Sequence, residues 1–303
     1  MTQSDDSSGE PRVWFVTGSS RGLGRELVQA ILDAGDQVVA TARQPDQLAG
    51  FVDRFGDRVL PVRLDVTDPA AVAAAVRDGV ERFGRLDVVV NNAGYANVAA
   101  IETGDEDDFR RQFETNFWSV YQVSRAIIPQ LRAQGGGTVV QVSSIGGRVG
   151  GSPGIASYQA AKFAVDGFSR VLAAETAPFG IKVVVVEPSG FATDWAGSSM
   201  TVHDAGEDYE STIGARVAQM GAAESSYRAG DPARAAAIIV QAIRRENPPS
   251  HLLLGVNAVE GAVGYSQRQI EEATAWREVS RSADFAEPYP AAFPADTTRA
   301  LPR

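Results

Sequence analysis

The chain has 303 residues, of which 44% are hydrophobic and 22% charged, and its formal net charge at pH 7 is −10. This composition is typical of a soluble globular protein, and the acidic balance argues against a nucleic-acid partner, whose phosphates need a basic surface. There is no cysteine and there are only two histidines, His203 and His251. Disulfide and thiol chemistry are therefore excluded, and a histidine-rich metal site is disfavoured.

The first eleven residues are acidic and rich in serine. They lack the basic start and apolar core of a signal peptide, and we expect them to form a disordered tail. No apolar run reaches the roughly 18 residues that a membrane helix needs. The sequence therefore predicts a cytoplasmic protein that makes no use of a membrane.

Short apolar segments alternate with helical patterns along residues 12–257. Strands are predicted at 13–16, 37–41, 59–64, 86–90, 138–142, 182–187 and 251–254. Helices are predicted after the first glycine-rich turn and at 45–55, 69–83, 105–133, 155–179 and 231–245. This alternation predicts a single doubly wound Rossmann-type α/β domain, with a parallel sheet of about seven strands and helices on both faces. Ligands in such sheets bind beyond the carboxyl ends of the strands.

The pattern weakens between residues 194 and 230, where Trp195, Met200 and Tyr209 stand among glycine, serine and acidic residues. A long irregular stretch inside a compact domain often forms a lid over a binding site, and we predict a substrate lid here. A further helical segment follows at 258–280. The tail from Glu287 contains four prolines and is expected to be extended, so residues 258–303 form a C-terminal helix and tail without an assigned role.

The turn after the first strand carries Gly18, Gly22 and Gly24. A strand, a glycine turn and a helix N-terminus together form a pyrophosphate cradle, because glycine lets the backbone approach the phosphates and the helix dipole favours negative charge. The spacing is G-x-x-x-G-x-G and differs from the commoner G-x-G-x-x-G fingerprint. An ordinary glycine-rich turn is the alternative interpretation of this run alone.

Tyr158 and Lys162 lie four residues apart in the predicted helix 155–179. Tyrosine has an ordinary pKa near 10 and is a poor acid or base at neutral pH unless its phenolate is stabilised. A lysine one turn away on the same helix face would lower that pKa. Such pairs also occur on solvent-exposed helices. In combination with the glycine run, the pair predicts hydride transfer between a nicotinamide cofactor and a carbonyl or alcohol, with Tyr158 as general acid/base and Lys162 as its electrostatic partner.

The residues after the second strand bear on the choice of nicotinamide. An acidic residue there would hold the ribose 2′-hydroxyl of NAD, but this segment ends in Arg43. The Arg43 guanidinium can pair with a 2′-phosphate, and Arg21 is a second candidate. The sequence therefore predicts NADP(H), with NAD(H) less favoured. Either arginine could instead be a solvated surface charge.

In these motifs the chain resembles the short-chain dehydrogenase/reductase family over roughly residues 12–254. Asp65, Val66, Asn92, Ala93, Gly94, Asn116, Ser144, Pro188 and Thr193 stand in family order. The resemblance implies that Ser144 hydrogen-bonds the substrate oxygen, that Asn116 holds a proton-relay water and that Lys162 also holds the nicotinamide ribose. It implies a cofactor site made of Gly18, Ser20, Arg21, Gly22, Leu23, Gly24, Arg43, Asp65, Val66, Asn92, Ala93, Gly94, Tyr158, Lys162, Pro188 and Thr193.

The expected substrate site consists of Ser144, Tyr158, Tyr95 and Trp195, and Val149, Gly150, Met200 and Tyr209 are further pocket candidates. Their aromatic and Met side chains indicate a bulky, apolar carbonyl or alcohol substrate, although packing of a lid or an interface would use the same residue types.

Two departures from the family pattern are visible. Ser144 and Tyr158 are fourteen residues apart where the family more often has thirteen, and the extra residue falls near Gly150 and Gly151. Ser189 stands where the family often has glycine, which removes a positive-φ option beside the expected nicotinamide site.

The resemblance implies an NADP-dependent carbonyl reductase or alcohol dehydrogenase acting on CH–OH groups. The alternatives are a non-catalytic NADP-binding redox sensor and an epimerase or dehydratase on the same fold. The sensor would be expected to lack a catalytic residue, and epimerases and dehydratases usually carry a larger C-terminal substrate domain. The resemblance also implies a homodimer or homotetramer formed through the two long helices. Phe109, Phe113, Phe117 and Val120 could supply its apolar face or could pack on the sheet.

Overall fold

The computed structural model describes residues 10–193, 200–222, 229–289 and 292–294. Most of the expected N-terminal tail, Trp195 and part of the C-terminal tail lie outside the described residues. Within the part of the chain that is described, no helix combines the length and the apolar character needed to span a bilayer.

Seven strands form one sheet in the order β3-β2-β1-β4-β5-β6-β7, and each neighbouring pair is parallel. They are β1 (Val13–Val16), β2 (Gln37–Ala42), β3 (Val59–Arg63), β4 (Val88–Asn91), β5 (Gly137–Val142), β6 (Ile181–Pro188) and β7 (His251–Leu254). The strand order reverses between β1 and β4, and a crevice opens at such a switch point beyond the carboxyl ends of the strands. The predicted doubly wound α/β fold is confirmed.

The described helices are α1 (Gly22–Asp33), α2 (Ala49–Phe55), α3 (Pro69–Phe83), α4 (Glu106–Phe113), α5 (Ser119–Ala133), α6 (Ala156–Thr176), α7 (Ala215–Gly221), α8 (Pro232–Arg244), α9 (Val256–Ala275) and α10 (Arg277–Arg281). Both faces of the sheet are covered by helices. Successive strand residues face opposite sides, so Trp14 packs with α1 and α8 while Phe15 packs with α3 and α5. The result is two apolar layers that bury the sheet and leave its carboxyl edge for a ligand.

The region expected to be an irregular lid contains more helix than its composition indicates. A 3₁₀ turn at Glu207–Tyr209 and a π turn at Glu210–Gly214 lead directly into α7. Ile213 and Met220 are buried seven residues apart, with the partly buried Val217 between them. This spacing is that of one helix face. The sequence analysis predicted an irregular segment here, because acidic and small residues outnumber these apolar ones.

The apolar residues of the predicted helix 105–133, which the structure divides into α4 and α5, are partly buried in the core and partly exposed. Val120 is 2% exposed and packs inward, whereas Phe109 is 39% exposed. Phe117 contacts Phe113 with ring centroids 5.5 Å apart and meets Phe168 of α6 edge-on at 6.2 Å. The stripe therefore serves partly to pack α4 and α5 against α6, and the predicted role in oligomerisation stays a prediction.

Candidate active site

The turn between β1 and α1 has the backbone of a phosphate cradle. Gly18 and Gly22 have φ of 69° and 54°, in the left-handed region that side chains rarely adopt. A Cβ on Gly24 would lie 2.2 Å from the Gly18 carbonyl oxygen, so this position admits only hydrogen. Arg21 stands at the N-cap of α1. Three glycines thus bring bare backbone and a helix N-terminus to one place, which fits the diphosphate of a dinucleotide.

Asn92, at the carboxyl end of β4, braces this turn. Its Nδ2 donates to the carbonyl oxygens of Thr17 and Gly18 at 2.9 and 3.1 Å. The Thr17 hydroxyl in turn accepts from the backbone N–H groups of Asn92 and Ala93. Thr17 was not among the predicted site residues. Its position directly before the first glycine was the available signal, because a short hydroxyl side chain at the end of β1 reaches the backbone that follows β4.

The ends of β2 and β3 form the side of the crevice where the adenosine was expected. Asp65 accepts hydrogen bonds from the backbone N–H and the hydroxyl of Thr67, and these bonds lower the pKa of its carboxyl, with a smaller contribution from Arg43. Val66 is 8% exposed. Arg21 and Arg43 are both exposed, and neither forms an ion pair with a residue that the structure describes. Arg43 acts on the Asp65 carboxyl at this side of the crevice, and the predicted pairing of Arg43 and Arg21 with a 2′-phosphate stays a prediction.

Tyr158 and Lys162 lie one turn apart on α6 and are 8% and 4% exposed. The Tyr158 side chain is hydrogen-bonded to that of Ser144, which acts to lower the pKa of the phenol, but burial outweighs it and raises the pKa to about 12. Burial lowers the pKa of Lys162 to about 8. Its Nζ donates to the Val142 carbonyl oxygen at 2.7 Å and lies 5.7 Å from the centroid of the Tyr158 ring.

The expected effect of Lys162 on Tyr158 is therefore wrong for the chain by itself. We expected the ammonium to lower the pKa of the phenol. Instead the pKa of Tyr158 is raised, because burial of the phenol outweighs its hydrogen bond with Ser144. The predicted catalytic roles of the two residues are a separate matter and stay predictions.

The two serines after β5 have different surroundings. The Ser143 hydroxyl is buried and donates to the backbone carbonyl of Lys162 at 3.1 Å. Ser144 caps a 3₁₀ turn at Ile145–Gly147, accepts from the Gly146 N–H at 3.0 Å and also reaches Tyr158. The structure therefore brings Ser144 to Tyr158, as the sequence predicted, while Ser143 joins the sheet to α6.

Asn116 lies in a π turn, Glu114–Trp118, that interrupts the expected continuous helix between α4 and α5. It is fully buried, and its side-chain amide exchanges two hydrogen bonds with the backbone of Tyr95, at 2.8 and 3.1 Å. A Cβ on Gly94 would lie 2.6 Å from the Asn116 Oδ1 and 3.6 Å from the Lys162 Nζ. π turns often occur at functional sites, and this one places Asn116 beside Lys162 with glycine between them.

Pro188 is the last residue of β6, and Thr193 contacts the glycine turn, since a Cβ on Gly22 would lie 3.6 Å from the Thr193 Cβ. Ser189 donates its backbone N–H to the Leu254 carbonyl oxygen. No non-glycine residue in the described segments has a positive φ. The serine is therefore accommodated without the left-handed conformation that a glycine would offer.

Tyr158 belongs to a small apolar cluster that includes residues of the predicted lid. The buried members are Ala96, Val98, Ala100, Ile155, Tyr158 and Ile213, and Met200, Ala205, Tyr209 and Val217 pack against them. Met200 and Tyr209 were predicted. Ile213 and Val98 were missed, because only the tertiary structure brings the lid helix to the segment after β4. Trp195 lies outside the described residues.

Val149 and Gly150 face another part of the molecule. A Cβ on Gly150, whose φ is 68°, would lie 3.1 Å from the Phe163 ring, and Val149 lies near Gly261 of α9. These two pocket candidates are therefore not in the apolar cluster with Tyr158. Tyr95 is half-buried and lies outside that cluster, next to Asn116.

Comparison with known proteins agrees with this geometry. The family model described as short chain dehydrogenase matches residues 12–202. The chain belongs to this family. It is 50% identical over 270 residues to oxidoreductase BOA17 of Botryotinia fuckeliana, a match that covers 89% of this chain and 98% of that protein. The predicted resemblance to the short-chain dehydrogenase/reductase family is confirmed.

Two solved structures are also similar. A short-chain dehydrogenase from Streptomyces avermitilis superposes with a TM-score of 0.84 at 38% identity and covers 91% of this chain and all of that one. A short chain dehydrogenase from Burkholderia cenocepacia in complex with NADP superposes with a TM-score of 0.66 at 26% identity, covering 88% of this chain and 97% of that one.

Proposed function

We propose that this short-chain dehydrogenase transfers hydride between NADP(H) and a carbonyl or secondary alcohol, with Tyr158 as the general acid/base. The observation that carries the proposal is the meeting of Tyr158, Ser144 and Lys162 beside a glycine turn whose backbone fits a dinucleotide. The Burkholderia relative in complex with NADP supports the cofactor class.

The chain's own residues would hold the dinucleotide along the carboxyl edge of the sheet. Gly18, Gly22 and Gly24 would accept the diphosphate, and Thr193 and Pro188 would border the nicotinamide end. The reduced nicotinamide, when bound, supplies the hydride. Arg43 and Arg21 would pair with the 2′-phosphate, because guanidinium groups with no partner in the described residues are free to form charge-assisted hydrogen bonds.

Tyr158 is protonated at neutral pH, because burial raises its pKa to about 12, and it would donate its phenolic proton to a substrate oxygen that gains negative charge. A phenol with so high a pKa is a weak acid, so this role requires the Lys162 ammonium to lower that pKa once cofactor and substrate are bound. Ser144 reaches the same phenol and would donate a hydrogen bond to that oxygen. Lys162, with its pKa lowered to about 8, lies next to Asn116, and by family resemblance the two would pass a proton back to Tyr158 through water.

The substrate would be apolar around its reacting oxygen. In the cluster beside Tyr158 the partly buried Met200, Ala205, Tyr209 and Val217 cover a buried layer that contains Val98, Ile155 and Ile213, and this surface is largely apolar. Burial of apolar substrate surface against them is worth roughly 25 cal/mol per Å². An aromatic or aliphatic ketone fits this lining better than a sugar.

The test is consumption of NADPH, followed at its absorbance band, against a panel of ketones, aldehydes and quinones, with NADH in parallel. We expect turnover with NADPH and loss of turnover in Tyr158→Phe, which keeps the ring and removes only the hydroxyl. Faster turnover with NADH than with NADPH would contradict the proposed pairing of Arg43 and Arg21 with the 2′-phosphate. It would leave the proposed roles of Tyr158, Ser144 and Lys162 unchanged. Binding of NADPH without turnover of any panel member would favour the redox-sensor alternative. The described C-terminal part, β7 with α9 and α10, forms no separate substrate domain of the epimerase type.

The domain limits, a cytoplasmic location and a homodimer or homotetramer belong to the same proposal as predictions from the sequence. Size-exclusion chromatography with light scattering tests the oligomeric state directly.

A further inference from the structure

A buried ion pair lies behind the candidate active site. Glu187 of β6 is fully buried, and the Arg148 Nε donates to both of its carboxylate oxygens, at 3.1 and 2.9 Å. The Arg148 side chain is 23% exposed. Burial raises the pKa of Glu187, and the guanidinium of Arg148 acts in the opposite direction to keep the carboxylate ionised. A charge at this depth needs its partner, since an unpaired buried carboxylate is costly.

The carboxylate has two further polar neighbours, Asp166 of α6 and His251 of β7, and ligand atoms of the three residues lie within 4.8 Å of one another. This grouping does not favour a metal ion. Both oxygens of Glu187 are held by Arg148, the His251 Nε2 is 2.7 Å from Asp166, and Asp166 also pairs with Arg170. Two guanidinium groups already neutralise the carboxylates, so the cluster is a polar network closed on itself.

The pair joins the two segments that border the reacting atoms. Arg148 directly follows the 3₁₀ turn Ile145–Gly147 that Ser144 caps, and the Arg148 N–H donates to the Ile145 carbonyl oxygen. Glu187 directly precedes Pro188 at the end of β6. A displacement of either side chain is therefore transmitted to the Ser144 hydroxyl on one side and to the nicotinamide-side segment on the other.

We propose that Arg148 and Glu187 are positioning residues that set the distance between the Ser144 turn and the Pro188 segment, and thereby the reacting geometry. This inference rests on the proposed function. Buried ion pairs add little stability compared with apolar residues of similar volume, whereas a charge-assisted contact in which one Nε–H lies between both carboxylate oxygens fixes the two side chains relative to each other. Placement errors of about 1 Å can cost about 100-fold in rate. The pair accordingly contributes to rate more than to folding.

Three variants separate these contributions. Arg148→Met leaves Glu187 unpaired, Arg148→Lys keeps a positive charge without the Nε–H that lies between the two carboxylate oxygens, and the double variant Arg148→Met/Glu187→Leu replaces the pair by apolar groups. Arg170→Met is the matched control, because it removes an arginine from the same network at a side chain that is 56% exposed and pairs with Asp166 instead of Glu187. For each we would measure kcat, KM, the NADPH dissociation constant by fluorescence and the melting temperature.

We expect Arg148→Met to lower kcat by about 10- to 100-fold and to weaken NADPH binding several-fold, with partial recovery of both in Arg148→Lys. The double variant should regain the melting temperature of the wild type while kcat stays low. Arg170→Met should change neither kcat nor NADPH binding. This pattern would show that the pair acts on geometry and that its role is not merely to hold the fold.

The proposal is overturned if Arg148→Met keeps the kcat and the NADPH affinity of the wild type, or if the double variant regains kcat together with its melting temperature. If the wild type itself reduces no carbonyl, the failure belongs to the proposed function. NADPH binding requires no turnover and then tests the positioning role of Arg148 and Glu187 separately. Weaker NADPH binding in Arg148→Met than in the wild type supports this role, and equal binding refutes it.

Discussion

Replacing Lys162 by Met should stabilise the ligand-free protein at neutral pH while removing its activity. Burial lowers the pKa of Lys162 from its ordinary value of 10.5 to about 8. Each pKa unit corresponds to about 1.4 kcal/mol, so holding this lysine charged costs the fold about 3 kcal/mol at pH 7. The lost hydrogen bond to the Val142 carbonyl oxygen offsets about 1–2 kcal/mol of this. The expected net gain is about 1–2 kcal/mol.

The sign of the pH dependence follows from proton binding. Between pH 8 and 10.5 the unfolded chain binds more protons at Lys162 than the folded chain does, so the stability of the wild type rises with pH in this window. The cost of the charged lysine is fully present below pH 8 and disappears above pH 10.5. The advantage of Lys162→Met should therefore shrink by about 2 kcal/mol between pH 7 and 9.5. Tyr158 does not disturb this comparison, because its pKa is raised and its own window lies between 10 and 12.

Urea denaturation followed by circular dichroism at pH 7 and 9.5 measures both quantities. Lys182→Met is the matched control, since Lys182 lies exposed on β6 and its removal changes the net charge equally. A Lys162→Met protein that is less stable than the wild type by the same amount at both pH values would refute the reasoning. It would mean that the lysine is held in the fold by its contacts without a desolvation cost.

Three further predictions concern the site. Tyr158→Phe should lower the rate of carbonyl reduction by about 100- to 10,000-fold, measured by initial rates at saturating NADPH; retained activity would remove Tyr158 as the acid. Arg43→Ser should raise the KM for NADPH by about 10- to 100-fold and leave that for NADH nearly unchanged, and a parallel rise for both would mean that Arg43 does not read the 2′-phosphate. Gly24→Ala should lose about 1–3 kcal/mol of stability and most cofactor binding, because its Cβ would lie 2.2 Å from the Gly18 carbonyl oxygen. An unchanged melting temperature and an unchanged NADPH dissociation constant would contradict this tight turn.

The strands and most helices follow from local properties that a sequence carries. Apolar runs such as Val88–Asn91 become strands, and α8 begins at Pro232 because Asp231 caps it through the N–H groups of Ala233 and Arg234. The ends of α6 and α8 were predicted to within a few residues. The order of motifs then places the glycine turn, Asn92, Ser144 and Pro188 at one edge of the sheet, since parallel strands all end on the same side.

Other features depend on residues that meet only in the folded chain. The sequence does not show that Ile213 of the lid packs with Val98 and Tyr158, because short helical patterns among acidic residues carry a weak local signal. The π turn at Asn116 was hidden for a related reason, since its residues continue the surrounding helical pattern.

The sequence by itself determined the strands and helices, because apolar periodicity, helix capping and the backbone freedom of glycine act over a few neighbouring residues. The order of the motifs along the chain determined the family and the candidate catalytic residues. Only the tertiary structure decided their electrostatics. The pKa of Tyr158 is raised and not lowered, and Arg148 meets Glu187 across 39 residues of chain. Burial and ion pairing are sums over everything that packs around a group, and spacing along the chain does not contain that sum.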